Sequence, residues 1–409
     1  MLRAYLSYWK PMFALPRPIW ILSWCALVNR VGTMVMPFLA LYVTKELGFS
    51  TEQAGVLVGV YGVGALIMSP ITGHLCDRFG TLELMVASLL SGAAVMFCFP
   101  FAHSYPAALL LSFLLAVTSE GFRPAAMTAV TEFTDGSDRK PAFALVRLMI
   151  NLGMSVGPVV GALLVKVSFA SIFYVDGVTC VLAALVLGPS LRRRSAALKS
   201  NPPAPAAAGA AKWSAVLKDK RMAYFLFALF PVSVVFFQHE TTMPIFMVRD
   251  LRLDETIYGL CFTINTLFII FTEIPLTLAT NHWPQWIPMA LGAALFGIGF
   301  GAMGLVSGAV GVALTVAIWS LGEMFLFPAA TTYVSEIAPG NRRGLYMGMY
   351  TMGFSVAFIV APLVGTRLLE RFGGRTLWGT CLALGLISTS LFLRLRVRAA
   401  GAAAVSAPG

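Results

Sequence analysis

The chain has 409 residues, of which 58% are apolar and 11% are charged, and its mean hydropathy is +0.82. A soluble domain carries about a quarter charged residues, so this composition excludes an ordinary water-soluble enzyme and is typical of a polytopic membrane protein. The net charge of +11 does not indicate nucleic-acid binding, because the Lys and Arg residues lie between the apolar runs rather than in one stripe.

Apolar runs of membrane-spanning length follow one another along the whole chain. They predict twelve membrane helices, near residues 18–43, 53–75, 83–102, 105–131, 141–167, 170–190, 222–248, 255–281, 285–306, 309–335, 344–369 and 374–395. The Pro- and Ala-rich stretch 191–221 predicts a flexible linker between an N-terminal bundle of six helices (1–190) and a C-terminal bundle of six (222–395). Residues 396–409 predict a disordered tail.

Basic residues are distributed unequally across this predicted topology. One side carries 19 of the 29 Lys and Arg residues, and the other side carries 7. The positive-inside rule therefore places both termini and the linker in the cytoplasm. We expect no cleavable signal peptide, because the first apolar run is too long for one, and we expect a multi-pass protein of a cell inner (plasma) membrane.

The two halves of the chain repeat each other at an offset of 204 residues. The matches keep one register across two predicted helices and their loop: Pro124-Ala125-Ala126 with Pro328-Ala329-Ala330, Glu132 with Glu336, Pro158 with Pro362, and Gly161 with Gly365. This repeat predicts two like bundles related by a pseudo-twofold axis along the membrane normal. Such an arrangement is typical of transporters that work by alternating access.

Two motifs carry a resemblance to a known family. The first runs from Gly73 through Asp77 and Arg78 to Gly80, between predicted spans 2 and 3; the second, in predicted span 5, contains Arg147, Asn151, Gly153, Gly157, Pro158 and Gly161. The first resembles the loop motif of the major facilitator superfamily, without its trailing basic residues. The second resembles the motif of the drug–proton antiporter branch. The resemblance implies twelve spans whose helices 1, 4, 7 and 10 line a central cavity.

Both motifs also have a physical interpretation. Asp77 ends span 2, where its carboxylate is expected to meet the positive N-terminus of span 11 and lock the cytoplasmic side. The glycines of span 5 predict close helix packing, and a special role in antiport stays open beside that interpretation. Pro158 removes one helix hydrogen bond and favours a bend.

Inserting a charged side chain at membrane depth costs at least roughly 2.5 kcal/mol of free energy, so we expect each such residue to have a functional or structural role. The candidates are Arg30 on span 1, Glu120 and Arg123 on span 4, Glu240 beside His239 on span 7, Glu323 on span 10, Glu273 on span 8 and Asp176 on span 6. A carboxylate in a dry cavity binds a proton more readily, so proton and cationic substrate can compete for it. A structural ion pair between Glu120 and Arg123 is the alternative, and Trp319, four residues before Glu323, predicts an aromatic contact for the substrate.

These observations predict a proton-coupled antiporter that exports amphipathic or drug-like small molecules, a multidrug efflux protein. A symporter or exporter of one specific metabolite or siderophore is the first alternative, and a lipid flippase or membrane receptor is the second. No phosphate-binding Gly-Lys motif, metal triad or nucleophile elbow is present, so we expect no enzyme, no metal and no cofactor. The expected partners are the substrate, protons and the bilayer, without nucleic acid, and we expect a monomer.

Overall fold

The computed structural model describes residues 14–32, 34–134, 139–200, 216, 218–280, 282–339 and 343–405. These residues are nearly all helical and contain no β-strand. The helices are α1 Arg17–Gly32, α2 Val35–Leu41, α3 Thr51–Phe79, α4 Thr81–Cys98, α5 Tyr105–Ser119, α6 Phe122–Phe133, α7 Arg139–Val165, α8 Ala170–Ser200, α9 Lys220–Phe236, α10 Thr242–Ile245, α11 Glu255–Thr280, α12 Trp286–Ala302, α13 Ala309–Ile337 and α14 Arg343–Val405. Non-helical backbone at Gly373 divides α14 into two helices.

Ten helices of the described residues are long and apolar enough to cross a membrane. One of the ten, Leu345–Leu395, contains the break at Gly373, and the shorter apolar helix α12 lies outside the ten. With both counted, the helices match the predicted spans one to one, and the all-α membrane fold is confirmed. The 17 residues of α12 extend only about 25 Å, less than a hydrocarbon core of about 30 Å, so the number of crossings stays a prediction.

Three of the predicted spans are interrupted rather than continuous. Span 1 divides into α1 and α2, span 4 into α5 and α6, and span 7 into α9 and α10. In each case a proline, Pro37, Pro124 or Pro244, occupies the third position of the second helix. A proline ring clashes with the carbonyl four residues earlier and lacks an N–H, and for Pro124 and Pro244 that earlier residue is Glu120 or Glu240. The proline therefore favours a break at the acidic residue of spans 4 and 7.

The chain divides into two compact units, one of Met1–Phe49 and Val60–Ala207 and the other of Ser50–Gly59 and Ala208–Gly409. Among the residues that the structure describes, each unit contains one π-helical turn, Tyr42–Glu46 in the first and Phe246–Asp250 in the second. Each turn is followed by a residue with positive φ, Gly48 at 69° and Arg252 at 54°. These pairs lie 204 positions apart, so the backbone repeats at the same offset as the sequence.

Within the first unit, α7 packs against the interrupted span 1 through its glycine ladder, Gly153, Gly157 and Gly161. A Cβ atom at Gly153 would lie 2.5 Å from the Cβ of Arg30, and one at Gly157 would lie 2.9 Å from the carbonyl oxygen of Val31. A Cβ at Gly161 would lie 3.1 Å from the Cβ of Met34. Only glycine permits this approach, as in other small-residue helix contacts in membranes.

The second unit repeats this contact with larger residues. Positions 357, 361 and 365 match the glycine ladder at the 204-residue offset and are Ala357, Ala361 and Gly365. The two alanines form a buried cluster with Val234 of α9. A Cβ at Gly365 would lie 2.7 Å from the Cδ of Gln238, and Gln238 matches Met34 at the same offset. Because both units use the contact, the geometry favours helix packing as the role of the ladder.

Two helices extend into segments that the sequence predicts as flexible. α8 continues through the predicted start of the linker to Ser200, and α14 continues into the predicted disordered tail as far as Val405. Both extensions contain several Ala and Arg residues, which are strong helix formers. The sequence after Ser200 continues with Asn201-Pro202-Pro203, a pattern that disfavours a helix. Residues 201–215, the centre of the predicted linker, lie outside the described residues.

Candidate functional site

A polar group in the second unit surrounds Glu323, near the middle of α13. The side-chain amide of Asn265 on α11 donates a hydrogen bond of 2.8 Å from Nδ2 to Oε2 of Glu323. The same Nδ2 lies 3.0 Å from Oγ of Ser320, which is fully buried one turn before Glu323. Glu323 itself is half-buried. The amide of Asn265 therefore joins α11 to the carboxylate of Glu323 on α13 at membrane depth.

The break in span 7 places a second polar group beside the first. His239 and Glu240 end the 3₁₀ turn Phe237–Glu240, and Nε2 of His239 lies 3.6 Å from Oε1 of Glu240. Neighbouring residues of an α-helix do not share a face, so this approach depends on the turn. Nδ1 of His239 contacts the carbonyl oxygen of Phe236 at 2.6 Å, and the Tyr258 hydroxyl donates to the His239 carbonyl at 3.1 Å. These contacts fix the imidazole and the broken backbone together.

Aromatic side chains surround the His239 ring within the second unit. The ring centroids of Phe236, Phe262 and Trp319 lie 4.6, 5.8 and 5.9 Å from the centroid of His239. Phe262 precedes Asn265 by three residues, so both lie on one face of α11 and connect the two polar groups. A residual cavity of only about 10 Å³ lies among these side chains. The aromatic group is therefore packed closed in this structure.

In the first unit the acidic candidate is Glu120, at the break between α5 and α6. The Tyr61 hydroxyl, on α3, donates a hydrogen bond of 2.6 Å to Oε1 of Glu120, and Tyr61 is buried. Glu120 and Arg123 were predicted to lie on one continuous helix. The break near Pro124 instead places Glu120 between the two helices, and it places Arg123, which is exposed, at the start of α6. Sequence spacing alone had missed the tyrosine partner.

The other charged candidates lie apart from these groups. Arg30 is half-buried in the last turn of α1, where its Cβ faces Gly153. Glu273 is half-buried on α11, eight residues beyond Asn265, which is about 12 Å along the helix axis. Over the residues that the structure describes, no three His, Cys, Asp or Glu side chains come together as metal ligands would.

A larger open cleft of about 770 Å³ lies elsewhere in the second unit, between the turn after α10, the loop after α12 and the break of α14. Its charged side chains neutralise one another: Arg249 pairs with Asp250 at 2.7 Å and with Glu370 at 3.0 Å. The side-chain hydrogen bond to Asp250 raises the pKa of Arg249, so the guanidinium stays charged. We interpret this cleft as polar surface, because none of the predicted site residues lines it.

Comparison with known proteins decides the family. The family model described as Major Facilitator Superfamily matches residues 19–249 and 241–408. The chain belongs to the major facilitator superfamily. It is therefore a multi-pass membrane transporter of small molecules and not an enzyme.

Relatives within the superfamily are similar over nearly their whole length. The chain is 25% identical over 372 residues to an uncharacterized MFS-type transporter, YqjV, of Bacillus subtilis, covering 87% of this chain and 88% of the relative. It is 24% identical over 380 residues to the multidrug resistance protein MdtH of Aeromonas hydrophila, covering 92% and 94%. It is 24% identical over 348 residues to the quinolone resistance protein NorA of Staphylococcus aureus, covering 82% and 86%.

Solved structures share the fold. A crystal structure of the peptide transporter POT in complex with sulfate superposes with a TM-score of 0.77 at 19% identity, covering 96% of this chain and 98% of that chain. A crystal structure of the nucleoside transporter NupG gives a TM-score of 0.77 at 14% identity, covering 93% and 99%. At this level of identity the likeness concerns the major facilitator fold alone.

The superfamily loop motif occupies the junction of α3 and α4. Gly73 and Asp77 lie in the last turns of α3. The side chain of Asp77 is outside the described part of the structure, so the predicted lock on span 11 stays a prediction. The guanidinium of Arg78 lies 5.3 Å from the centroid of the Phe79 ring. Gly80 has a φ of 99°, which only glycine adopts readily and which ends α3. Nearby, the Thr81 hydroxyl donates a hydrogen bond of 2.6 Å to Oε1 of Glu132.

The antiporter-branch motif lies on α7. Asn151 is half-buried, whereas the side chain of Arg147 lies outside the described part. Pro158 sits inside α7 without interrupting it. The motif therefore contributes the glycine contact with span 1, and its role in antiport stays a prediction of the superfamily resemblance.

Proposed function

We propose that this transporter is a proton-coupled antiporter that exports amphipathic or drug-like small molecules by alternating access. We place it in the cell inner membrane with both termini cytoplasmic, and we expect it to act as a monomer. The relatives MdtH and NorA are named as multidrug and quinolone resistance proteins, which supports this substrate class. A further relative, 22% identical over 368 residues, is a Na⁺, Li⁺, K⁺/H⁺ antiporter of Planococcus maritimus, which supports exchange against protons.

The observation that carries the proposal is the environment of Glu323. No basic residue lies within four positions of it on α13, and its partner Asn265 is neutral. A carboxylate at membrane depth is costly in its charged form, which favours the binding of a proton there. The amide of Asn265 stays neutral whether or not Glu323 is protonated, so this neighbour is compatible with the gain and loss of a proton that coupling requires.

The side chains around His239 support an amphipathic substrate. Trp319 and Phe262 offer aromatic faces within one helical turn of Glu323 and Asn265, respectively. Aromatic faces attract organic cations, and the nearby carboxylate adds negative charge. A lipophilic cation and a proton would then compete for the same acidic site, which is the physical basis of exchange.

A second candidate follows from the first unit. Arg30 is half-buried at membrane depth, and Arg123 lies on the interrupted span 4. Two guanidinium groups in a cavity would favour an anionic ligand, so export or uptake of one specific anionic metabolite is the alternative. Transport of an organic anion, with no transport of lipophilic cations, would favour it.

Transport by purified protein in proteoliposomes tests the proposal. Vesicles with an acidic interior and protein of known orientation should accumulate the lipophilic cation ethidium when diluted into buffer of higher pH. Addition of a protonophore should abolish the accumulation, and protein-free vesicles set the background. Accumulation that is unchanged by the protonophore, or none with any of a panel of cationic and neutral amphiphiles, would contradict proton-coupled export.

A further inference from the structure

Asp176 is a buried acid that the site described above does not use. It lies on α8 and is only 1% exposed. Its Oδ1 lies at the break in span 1, where a Cβ atom at Gly32, the last residue of α1, would approach it to 3.0 Å. The backbone N–H groups of Met34 and Val35, at which α2 begins, act on this carboxylate as hydrogen-bond donors. An acid on span 6 therefore caps the second helix of span 1.

The break in span 1 needs such a cap. The first N–H groups of a helix have no partner within that helix, and lipid supplies none. Met34, at the N-cap position of α2, makes no capping hydrogen bond with its side chain. The Met34 N–H also donates to the carbonyl oxygen of Gly32 at 2.7 Å, so the donor that most needs the carboxylate is the N–H of Val35. The helix dipole stabilises the negative charge at this place. Because protonation removes the charge, it should weaken this cap.

One oxygen of the Asp176 carboxylate is available to bind a proton, and few ionisable groups surround it. The ionisable groups that act on it are Arg30 of α1 and Cys180 of its own helix, whose Sγ lies 3.9 Å from Oδ1. On the neighbouring helices, α2 has no ionisable side chain, and Tyr42 follows directly after its end. Glu83 and Cys98 lie near the two ends of α4. The side chain of Arg147 on α7 lies outside the described residues. Oδ2 is fully buried, and no donor in the described part of the chain reaches it.

Met34 lies between two helices. On one side it faces Gly161 of the glycine ladder on α7, and on the other its N–H faces Asp176 of α8. The glycine contact is apolar and does not respond to pH. The contact with Asp176 involves a group that titrates, so it is the one that a proton can release.

We propose that Asp176 is a positioning residue that acts as a proton switch on span 1: the ionised carboxylate holds the start of α2 against α8, and protonation releases it. In the protonation step a hydronium ion gives its proton to Oδ2, an O–H bond forms, and the neutral carboxyl becomes a weaker acceptor for the Met34 and Val35 N–H groups. Deprotonation returns the proton to water and restores the cap. The inference rests on the proposed proton coupling, to which it adds a proton site in the first unit.

Hydrogen–deuterium exchange of purified protein, without substrate, tests the switch. The peptide covering residues 34–41 is followed from pH 5 to pH 9, with rates corrected for the intrinsic effect of pH on amide exchange. In wild type we expect corrected exchange to be about tenfold faster at the acidic end, the size expected for loss of one cap. Asp176→Asn keeps an acceptor but cannot ionise, so its corrected rates should not depend on pH.

Two further variants make the test decisive. Asp176→Leu should exchange rapidly at every pH, and if it does not fold, the comparison of wild type with Asp176→Asn decides alone. Asp219→Asn, the same chemical change in the second unit, should leave the wild-type profile of this peptide unchanged. Identical pH profiles in wild type and Asp176→Asn would overturn the proposal.

Transport measured in parallel separates this inference from the proposed function. If wild-type exchange responds to pH through Asp176 but ethidium movement does not need a proton gradient, only the proposed antiport fails. If ethidium movement is proton-driven but exchange of residues 34–41 is the same in wild type and Asp176→Asn, only the switch fails.

Discussion

Asn265 donates a hydrogen bond of 2.8 Å to the carboxylate of Glu323 and thereby joins α11 to α13 at membrane depth. The same amide lies within hydrogen-bond distance of the Ser320 hydroxyl, so the Asn265 side chain orients Glu323 and also contacts the buried hydroxyl beside it. Proton exchange at Glu323 would thus depend on a neighbour that is itself uncharged at every pH.

Replacing Asn265 tests this dependence. Asn265→Leu removes the donor and leaves Glu323 beside an apolar side chain, and a hydrogen bond to a charged group contributes about 1.5–3 kcal/mol. We expect proton-driven ethidium uptake to fall at least about tenfold, with the protein still folded. Thr280→Val, on the same helix, is the control, because the Thr280 hydroxyl donates to the carbonyl oxygen of Leu276 in its own helix at 2.8 Å. Equal uptake by both variants would remove Asn265 from the site.

The Tyr61 hydroxyl and Glu120 should be energetically coupled. Unfolding of wild type, Tyr61→Phe, Glu120→Gln and the double variant forms a thermodynamic cycle. From the 2.6 Å hydrogen bond we expect a coupling free energy of about 1–3 kcal/mol. Additive effects of the two substitutions would show that the contact contributes nothing to stability.

The glycine ladder should be sensitive to a single methyl group. Gly157→Ala places a Cβ 2.9 Å from the carbonyl oxygens of Arg30 and Val31, and a backbone cannot yield as a side-chain end can. We expect a loss of about 1–3 kcal/mol, seen as a lower midpoint of thermal unfolding. In Gly379→Ala the new Cβ meets no atom within 4 Å, so its midpoint should stay the same or rise. Similar midpoints for the two variants would contradict close packing at Gly157.

Asp219 should give the protein an acid-dependent component of stability. Burial raises the pKa of Asp219, but hydrogen bonds from the Tyr346 hydroxyl at 2.8 Å and from Arg221 outweigh it, so the pKa lies below its ordinary value. A lowered pKa in the folded state means that this stabilisation is full above the unfolded pKa of about 3.9 and is lost as pH falls through the folded pKa.

Thermal unfolding between pH 3 and pH 7 checks this expectation. Wild type should be more stable than Asp219→Asn at pH 6–7, and the difference should shrink at the acidic end. Tyr346→Phe should shrink the difference at neutral pH as well, because it removes one of the bonds to the carboxylate. A constant difference from pH 3 to pH 7 would be inconsistent with the lowered pKa.

Sequence patterns predicted the helices and the acids, but not the acids' partners. Length and hydropathy are local properties, so they located the spans and placed Glu120 and Glu323 at membrane depth. The partners Tyr61 and Asn265 lie 59 and 58 positions away from these acids. Such contacts depend on how helices pack, and no spacing along one helix reveals them.

The sequence contains a pattern that indicates two of the helix breaks, but prediction of spans from hydropathy does not use it. Pro124 and Pro244 each follow an acidic residue, Glu120 or Glu240, by four positions, which is the spacing at which proline disrupts a helix. Proline is not sufficient, however, because Pro328 lies inside α13 without a break. Packing around the helix decides between a break and a continuous helix.

Proton-driven uptake by Glu323→Gln and Glu240→Gln tests the central claim most directly. Each variant is reconstituted beside wild type and the control Glu255→Gln, which changes an acid in the first turn of α11. Ethidium accumulation under an imposed pH gradient is compared with ethidium exchange in the absence of a gradient. We predict that the two variants lose gradient-driven accumulation at least about tenfold but keep exchange, because an amide binds no proton at these pH values. Wild-type accumulation by both Glu323→Gln and Glu240→Gln would contradict the account.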